Sequence, residues 1–580
     1  MTEGKGYKQD VSSLLQEIAR LLELKGESAF KSRAYYNAAR TVELMGEDEL
    51  HRLVQEDKLK EVKGIGDALN EKLKELVLTG SLDYYEELKE SIPGSLLELL
   101  RVSGLGPRKV KALYDTLGIA SLGELEYACR ENRLVNLKGF GAKTQDNIMK
   151  GIEFIRRYQG QHYFSEAREV AAGLLEEIKK FSALDRVSLA GSIRRCKELV
   201  KDIDLVASTS GPQQLVQYFT EISTVSEVLA KGDTKVSVRL QEGINADLRV
   251  VQEKEFPCAL HHFTGSKEHN TALRHHAKTM GLKINEYGLF RGEERMDCRS
   301  EEGLFQTLGL PYIPPELREN YGEIEAAKKG ELPLLVEERE IRGLFHVHTY
   351  YSDGINSPEE IIKACQKAGF EYVGISDHSQ SAFYAGGLKE DDLQRQQEEI
   401  EALREKYPGL AIFKGVEADI KADGSLDYSD ELLERLDFVI ASVHSGLGMS
   451  GERMTERLLR ALSHPRVTML GHPTGRLLLG REGYFLDLEK IFRKAQENKV
   501  IMELNASPLR LDLDWMHLKR AKEMGLLVSI NPDAHRIEDF QHTHFGVAIA
   551  RKGWLEKKDV FNTRSREEVE EFLQNRKLIS

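Results

Sequence analysis

The sequence of 580 residues has few cysteines, and their arrangement excludes two kinds of scaffold. The five cysteines lie far apart, their number is odd, and no Cys-x-x-Cys occurs. Neither a disulfide framework nor a thiolate zinc site is indicated, and a reducing cytoplasm fits this usage. No run approaches the about 18 apolar residues of a spanning helix, and the polar N-terminus has no signal-peptide core. We expect a cytoplasmic chain without a membrane segment.

Proline is scarce as well, with 14 residues against 48 glycines, and no long stretch is compositionally disordered. Hydrophobic residues make up 41% of the chain, enough to bury several cores. At about 100–200 residues per domain, the length predicts roughly three to five domains. The chain also lacks a basic excess, since 82 basic and 95 acidic residues leave a net charge of −13. Nucleic-acid binders are commonly basic, so local pattern must decide whether this chain is one.

Three similar phrases with a central Gly-x-Gly lie between helical patterns in the N-terminal region. They are Val62-Lys63-Gly64-Ile65-Gly66, Val102-Ser103-Gly104-Leu105-Gly106 and Leu137-Lys138-Gly139-Phe140-Gly141. Such a turn lets the backbone approach a ligand, and its N–H groups can hold one phosphate at the start of the next helix. A single copy is more often a helix C-cap. Three copies followed by basic residues predict helix-hairpin-helix contacts to a nucleic-acid backbone, with Gly64, Gly66, Gly104 and Gly106 at the DNA.

From about residue 160 the pattern predicts an α+β domain. We expect a helix near 165–180, strands over 187–190, 203–207, 236–240 and 246–251, and then a helical and loop-rich stretch to about residue 320. The charged segment 323–342, which contains Pro333, is the best linker candidate.

Three aspartates in this region follow a Gly-Ser turn. Strand alternation puts Asp202 and Asp204 on one face, and Asp247 follows on a later strand. An isolated Asp-x-Asp commonly only ends a surface strand. After the turn at Gly191-Ser192 this spacing instead predicts a site for two Mg²⁺ about 3.5–4 Å apart, which would activate a hydroxyl and stabilise leaving pyrophosphate. The Gly-Ser turn and Arg195 would hold a triphosphate.

Beyond the linker, strand and helix patterns alternate, which predicts a parallel α/β barrel or sheet. The expected strands lie near 344–347, 372–376, 411–416, 438–443, 467–471, 500–504 and 527–531. Histidines and carboxylates fall at their carboxyl ends, where side chains of a barrel face a shared mouth. The candidate ligands are His346, His348, Asp353, His378, Glu417, His444, His472, Asp533 and His535. Imidazole and carboxylate together suit Zn²⁺, Mn²⁺ or Fe²⁺, and their number exceeds one site.

Four further histidines lie in helix-like or loop contexts and are interpreted as ordinary core or surface residues: His464, His517, His542 and His544.

The motif Gly191-Ser192-x-Arg194-Arg195 with Asp202-x-Asp204 resembles the nucleotidyltransferase motif of family X DNA polymerases. The resemblance covers about residues 5–325, including the first two Gly-x-Gly repeats and Phe263-Thr264-Gly265-Ser266, Asn270, Arg274 and Ile284-Asn285-Glu286-Tyr287. It implies Asp202, Asp204 and Asp247 as metal ligands, Ser192 and Arg195 as triphosphate contacts, and Phe263, Gly265, Asn270 and Arg274 as the nucleotide pocket. His262 stands where the family often has Tyr, and Lys267 stands where a well-known member has an acid. The resemblance therefore does not imply how the site discriminates between ribose and deoxyribose.

Lys72 aligns with the Schiff-base lysine of those relatives that act as lyases. Lys31 and Tyr35 also match, but Phe30 replaces a histidine and Ala68 a second lysine, which removes 5′-phosphate contacts. The alternative is a surface lysine that at most contacts phosphate.

The histidine set resembles the PHP domain, named for polymerase and histidinol phosphatase, over about residues 340–575. The resemblance implies three ions: His346, His348, Glu417 and Asp533 would hold one, Glu417, His444 and His472 a second, and Asp353, His378 and His535 a third. It implies metal-dependent hydrolysis of phosphate esters without a covalent enzyme intermediate.

The chain is therefore expected to be a bacterial gap-filling repair polymerase with a 3′-5′ exonuclease and an abasic-site endonuclease in its PHP domain. Mg²⁺ would serve the polymerase site and Mn²⁺ or Zn²⁺ the PHP site. The partners would be gapped or primed DNA and deoxynucleoside triphosphates, with no membrane, and the chain would be a monomer. The alternatives are a non-catalytic DNA-end scaffold and a small-molecule nucleotidyltransferase fused to a phosphatase.

We expect a multidomain protein with an α-helical N-terminal region, an α+β nucleotidyltransferase palm and a C-terminal TIM-like α/β PHP barrel. The expected domains are 1–90 and 91–158 (helix-hairpin-helix domains, the second of fingers type), 159–255 (palm), 256–325 (nucleotide selection, thumb-like), 326–342 (linker) and 343–580 (PHP).

Overall fold

The computed structural model describes residues 7–45, 49–56, 58–62, 65–79, 82–102, 104–135 and 137–577. The chain forms two compact units, Met1–Ile155 and Arg156–Ser580. Within the described residues, no helix has the combination of length and apolar character that crossing a membrane requires.

The first unit is helical throughout its described part. Its helices are Tyr7–Lys25 (α1), Ala29–Leu44 (α2), Glu49–Gln55 (α3), Asp67–Thr79 (α4), Asp83–Glu90 (α5), Gly94–Leu99 (α6), Pro107–Leu117 (α7), Leu122–Arg130 (α8) and Ala142–Gln159 (α9), the last running into the second unit. Helix α1 buries Val11, Leu15, Ile18 and Leu22, a spacing that lines one helical face. The helices pack around one continuous apolar cluster, which holds the connecting turns in place.

The second unit begins with an α+β region that carries the predicted aspartates. Its elements are His162–Tyr163 (β1), Phe164–Lys179 (α10), Leu184–Leu189 (β2), Gly191–Arg194 (α11), Leu199–Val200 (β3), Asp202–Thr209 (β4), Pro212–Thr220 (α12), Val225–Lys231 (β5), Lys235–Leu240 (β6) and Asn245–Val251 (β7). Strands β2, β4, β7, β6 and β5 form one sheet in that order. The predicted helix and four strands are confirmed, whereas β1, β3 and β5 were not predicted.

A smaller subdomain follows the palm sheet. Its elements are Phe256–Thr264 (α13), Lys267–Thr279 (α14), Leu282–Asn285 (β8), Gly288–Arg291 (β9), Glu294–Met296 (β10), Glu301–Thr307 (α15) and Glu323–Lys329 (α16). The stretch was predicted to be helical and loop-rich, and the antiparallel sheet that β8, β9 and β10 form here was not predicted. The segment predicted as a linker also opens with helix α16, whose buried Ile324 and Ala327 pack in this subdomain's core.

The C-terminal region is a parallel barrel with helices between its strands. The strands are Gly343–Val347 (β11), Tyr372–Ile375 (β12), Ala411–Asp419 (β13), Phe438–Ser442 (β14), Met469–Leu470 (β15), Ile501–Asn505 (β16) and Val528–Asn531 (β17). The helices are Pro358–Ala368 (α17), Glu390–Lys406 (α18), Asp430–Glu434 (α19), Gly451–Leu462 (α20), Leu488–Glu497 (α21), Trp515–Glu523 (α22), His542–Lys552 (α23) and Arg566–Lys577 (α24). All seven predicted strands are confirmed, in sequential order and parallel.

The barrel is nearly closed, since the first and last strands meet just beyond their carboxyl ends. His348 N donates to Ala534 O at 2.8 Å and Ala534 N donates to His346 O at 3.1 Å. The interior is filled with aromatic rings, and glycine makes room for them: a Cβ on Gly415 would lie 2.2 Å from Cζ of Phe438. The closure brings residues near 347 and 534 to one mouth.

Candidate active sites

Three aspartates of the palm lie together on two neighbouring parallel strands. Asp204 on β4 is the register partner of Asp247 on β7, and Asp202 precedes Asp204 by two residues on the same strand. Between them Ile203 is fully buried on the opposite face, as strand alternation predicts. The structure therefore brings the three predicted carboxylates together on one face of the sheet, at neighbouring positions of β4 and β7.

Burial and mutual repulsion disfavour the ionised forms of Asp204 and Asp202. Burial, followed by the charges of Asp202 and Asp247, raises the pKa of Asp204 to about 7. Burial and then Asp247 also raise the pKa of Asp202. Among the described residues, one ion pair involves these carboxylates, between Lys235 Nζ and Asp247 Oδ2 at 3.4 Å. Three clustered oxygen donors of this kind are what divalent cations such as Mg²⁺ prefer.

The Gly-Ser turn at Gly191-Ser192, here called the phosphate turn because it is predicted to hold a triphosphate, packs directly against this cluster. Gly191 has a φ of +60°, and a Cβ there would lie 1.9 Å from Asp204 Oδ2. Glycine is therefore required both by the backbone conformation and by the close approach of the carboxylate. Ser192 lies in the short helix α11 that follows, half-buried.

Arg195 is anchored from two sides. Its Nε lies 3.1 Å from Glu319 Oε1, and its Nη1 donates to the carbonyl oxygen of Thr264. Nη1 would also lie 3.2 Å from a Cβ on Gly265, so the two predicted nucleotide contacts are neighbours.

The other residues expected at the nucleotide pocket group around His262. Asn270 Nδ2 donates to the carbonyl oxygen of His262 at 2.8 Å, and Arg274 Nη2 lies 3.2 Å from its Nδ1. The ring of Phe263 lies 5.0 Å from the His262 ring, with the Arg249 guanidinium 5.1 Å from Phe263. His262 is thus at the centre of the group that the family resemblance assigns to nucleotide selection.

The described glycines of the first two Gly-x-Gly turns have open surroundings in the helical unit. Gly66, Gly104 and Gly106 are exposed, and a Cβ on any of them would meet nothing within 4 Å. Their central residues, Ile65 and Leu105, are 4% exposed and fix each turn to the core. Gly64 lies outside the described residues. Each turn thus presents bare backbone at the start of a helix, α4 or α7.

Lys72 lies between two tyrosine rings on helix α4. Its Nζ donates to Tyr35 Oη at 2.7 Å and lies 3.2 Å from the centroid of the Tyr84 ring. Burial, followed by the charge of Lys31, lowers the pKa of Lys72. Phe30, which stands where the resemblance expects a histidine, is 85% exposed.

All nine predicted ligands of the barrel converge at its carboxyl-terminal mouth. Glu417 is the hub, with its carboxylate oxygens 2.7 Å from His378 Nδ1, 3.0 Å from His472 Nε2, 3.2 Å from His444 Nε2 and 3.3 Å from His346 Nε2. Asp533 Oδ1 lies 3.3 Å from His348 Nε2. Asp353 lies 3.3 Å from His535 Nε2 and 3.5 Å from His378 Nε2.

These ligands form three overlapping groups whose donor atoms all lie within 4.8 Å of one another in each group. The groups are His348, Asp353, His378 and His535; His346, His348 and Asp533; and His378, Glu417 and His444. They resemble the three expected sets, with His348 and His378 each shared between two groups. His472 reaches Glu417 without belonging to one of these groups.

The ligand backbone is strained and the donors are buried. His346, His472 and Asp533 have φ values of 59°, 26° and 51°. Such conformations cost non-glycine residues about 1–3 kcal/mol each, and they cluster at functional sites. Within the described residues, the buried Nδ1 of His348 has no hydrogen-bond partner. A buried imidazole nitrogen of this kind fits a metal ligand, so the donor set fits a multinuclear transition-metal site.

Charge pairing in the mouth is strong. Burial lowers the pKa of His346, but Glu503, Asp533 and Glu417 outweigh it and hold that pKa well above its usual range. Burial alone would raise the pKa of Glu417, yet His444, His378 and His346 hold it well below its usual range. Glu417 is therefore ionised in this pairing with the neighbouring imidazoles.

Two acidic residues that were not predicted orient the histidines. Glu503 Oε1 lies 2.6 Å from His346 Nδ1, and its Oε2 accepts a 2.6 Å hydrogen bond from the His472 backbone N–H. Asp419 Oδ1 lies 2.5 Å from His444 Nδ1. Both follow a strand pattern with a buried acid two residues from another polar residue, Glu503-x-Asn505 and Glu417-x-Asp419, and this is the signal that could have found them.

The four histidines interpreted as ordinary lie outside these groups. Three of them pair with carboxylates elsewhere: His464 with Asp430 at 3.0 Å, His517 with Asp514 at 2.7 Å and His544 with Glu338 at 2.7 Å. His542 Nε2 lies 3.7 Å from Asp539.

The fold and the two donor sets define the class: an enzyme that joins a nucleotidyl-transfer palm to a metal-dependent phosphoesterase barrel. Comparisons with known proteins match its parts. Family models for a DNA polymerase beta thumb, a PHP domain, a helix-hairpin-helix domain and a SAM-like helix-hairpin-helix tandem match residues 259–319, 345–507, 7–82 and 96–153.

Full-length similarity is found to the DNA polymerase/3'-5' exonuclease PolX of Bacillus subtilis (strain 168), with 38% identity over 98% of this chain and 99% of that protein. The chain belongs to the bacterial family X DNA polymerases with a C-terminal PHP domain. Probable phosphatases of Thermoanaerobacter sp. (strain X514) and Caldicellulosiruptor bescii are 28% and 30% identical over 40% and 33% of this chain, covering 94% and 78% of their own lengths. The predicted family is therefore confirmed.

Proposed function

We propose that the protein is a DNA-directed DNA polymerase that fills short gaps during repair and removes 3′-terminal nucleotides with its barrel. One observation carries the proposal: a single chain, matched end to end by a polymerase/exonuclease relative, holds two separate metal-binding donor sets. We further propose abasic-site incision as a second reaction of the barrel, because the same phosphodiester chemistry is required.

In the polymerase site, Asp202, Asp204 and Asp247 would hold two divalent cations, with Mg²⁺ as the proposed ion. Bound cations there would favour ionisation of the primer 3′-hydroxyl and neutralise the leaving pyrophosphate. Ser192 and the anchored guanidinium of Arg195 would orient the triphosphate at the start of α11. Phe263, Gly265, Asn270 and Arg274 would line the nucleotide and its base pair.

In the barrel, the nine ligands would hold three ions, with Mn²⁺ or Zn²⁺ as the proposed metals because six imidazoles do not suit Mg²⁺. Bound ions there would supply Lewis acidity for the attack of water on a phosphodiester. Glu503 and Asp419 fix the ring orientation of His346 and His444, which pre-organises the ligands before substrate arrives.

DNA would be held through its backbone by the Gly-x-Gly turns, at Gly64, Gly66, Gly104 and Gly106. Since their N–H groups would contact phosphate and no base edge, binding should not depend on sequence. We propose the domain boundaries given above, except that the nucleotide-selection subdomain includes all of helix α16. We also propose deoxynucleoside triphosphates as co-substrates and a cytoplasmic monomer as the working form.

A 5′-deoxyribose phosphate lyase is a second candidate function, favoured by the lowered pKa of Lys72 and its place between Tyr35 and Tyr84. The amine would attack C1′ of the open sugar and release water to form a Schiff base, and β-elimination would then break the C3′–O bond. Borohydride trapping on abasic DNA tests this. Wild type and Lys74→Ala, a control on the same helix, should be trapped, and Lys72→Ala should not.

The main proposal is tested with one gapped DNA whose primer ends in either a paired or a mismatched 3′ nucleotide. Chelated protein receives Mg²⁺, Mn²⁺ or Zn²⁺ singly. Extension of the paired primer with Mg²⁺, and removal of the mismatched nucleotide with Mn²⁺ or Zn²⁺, are expected. Absence of extension with every metal would contradict the polymerase assignment, and complete 3′ degradation with Mg²⁺ alone would contradict the barrel metals.

A further inference from the structure

Helix α23 of the barrel is also part of the palm core. Ala548, 7% exposed, belongs to the apolar cluster built from α10 and the palm sheet, and Phe545 packs against the same cluster. The Phe545 ring lies 6.0 Å from that of Phe164 in an edge-to-face arrangement. Lys552, the last residue of this helix, therefore lies beside the palm on a helix that is held in place by packing.

The Lys552 side chain is fully buried and ends at the phosphate turn. Its Nζ lies 2.6 Å from Glu319 Oε1 and donates to the carbonyl oxygen of Arg195 at 2.9 Å. Its side chain is 0% exposed. The carbonyl oxygen of Glu316 also accepts from this ammonium, at 3.4 Å. A buried ammonium with these partners is held strongly, because leaving a partner unpaired in the interior is costly.

Glu319 connects this lysine to the Arg195 side chain. Its buried carboxylate lies 3.1 Å from Arg195 Nε and 3.3 Å from Lys197 Nζ. Arg195 is thus fixed twice by the same network, at its carbonyl oxygen by Lys552 and at its guanidinium by Glu319. A second barrel contact lies nearby, where Arg476 Nη2 is 3.5 Å from Glu198 Oε1.

We propose that Lys552 is a positioning residue for the incoming nucleotide, so that the nuclease barrel completes the triphosphate site of the polymerase. The inference rests on the proposed role of Arg195 in binding triphosphate. Without Lys552, the Arg195 main chain loses a donor and Glu319 loses one of three cations, so Arg195 is held less firmly. Triphosphate binding should then weaken more than the chemical step.

The test compares Lys552→Met with Lys522→Met in the full chain. Lys522 is the control, because this barrel lysine also pairs with carboxylates, Glu556 at 3.0 Å and Asp559 at 3.4 Å, and donates to a carbonyl oxygen, Trp554 O at 2.6 Å. These partners all lie within the barrel. Single-nucleotide gap filling gives KM and kcat for the triphosphate, and exonuclease rate and melting temperature are measured on the same samples.

Lys552→Met should raise KM for the triphosphate about tenfold or more, with kcat within about threefold and exonuclease rate within about twofold of wild type. Lys522→Met should leave KM unchanged. Glu319→Gln keeps the side-chain volume and should also raise KM for the triphosphate. This variant tests the same network if Lys552→Met does not fold.

Three results would overturn the inference: equal KM values for the two lysine variants, a parallel fall of both activities with melting temperature, or a wild-type KM in Glu319→Gln. If wild type itself does not extend the primer, the proposed polymerase function fails instead, and the two failures are therefore distinguishable.

Discussion

Replacing Gly191 with alanine should disable the polymerase site through a single methyl group. The added Cβ would lie 1.9 Å from Asp204 Oδ2 and 2.9 Å from its Cβ. Since ordinary contacts between heavy atoms begin at about 3.5 Å, the two atoms must separate by about 1.6 Å. The positive φ of +60° at Gly191 adds about 1–2 kcal/mol of strain for any residue with a Cβ.

A displacement of about 1 Å in a catalytic arrangement costs about 10²-fold in rate. Gly191→Ala should therefore lower kcat for gap filling by about 10²-fold or more, equivalent to about 2.7 kcal/mol at 1.36 kcal/mol per tenfold. The measurement is rapid-quench single-nucleotide extension at saturating triphosphate. Exonuclease rate should stay within about twofold, because the barrel site does not include this turn.

Gly281→Ala provides the control for backbone strain. Gly281 has a φ of +71°, and a Cβ there meets nothing within 4 Å. It should therefore lose comparable stability without losing extension rate. If Gly191→Ala extends primers as fast as Gly281→Ala, the packing of this turn against Asp204 has no catalytic role and the reasoning is refuted.

Two further predictions concern the DNA contacts and the metal affinity of the palm. Replacing Gly104 and Gly106 with valine should weaken gapped-DNA binding by a similar factor for every sequence and reduce its salt dependence, and unchanged affinity in a salt titration would leave these turns as structural caps. Because the pKa of Asp204 is raised to about 7, protons compete with cations below that pH, so the Mg²⁺ concentration for half-maximal extension should rise up to about tenfold per unit from pH 7 to pH 6. Equal values at pH 6 and pH 8 would contradict this.

The barrel could be predicted closely because each of its strands is a short run buried on both faces and followed by a helix. Their order in the chain is also their order in space, and the ligands lie at strand ends. The strands β8 to β10 could not be predicted, because they are only three or four residues long and carry Lys283, Arg291 and Glu294 at exposed positions. Runs of three or four residues are too short for an alternation to distinguish a strand from other structure.

The contacts that orient the sites depend on distant partners. Glu503 is 157 positions from His346, and Lys552 is 233 positions from Glu319. A buried acid or lysine can be noticed in a sequence, but its partner is known only when the two elements are packed. Ligand types were therefore predictable, whereas the partners of Glu503, Asp419 and Lys552 were not.

The central claim, two separate metal chemistries in one chain, is tested most directly by crossing two variants on one gapped DNA with a mismatched 3′ end. Asp247→Ala should abolish extension and keep mismatch removal, since one palm cation loses a charged ligand. His346→Ala with His348→Ala should lose bound transition metal and mismatch removal, and should still extend a paired primer. Loss of both activities in either variant with its fold intact, or near wild-type extension by Asp247→Ala, would contradict the account.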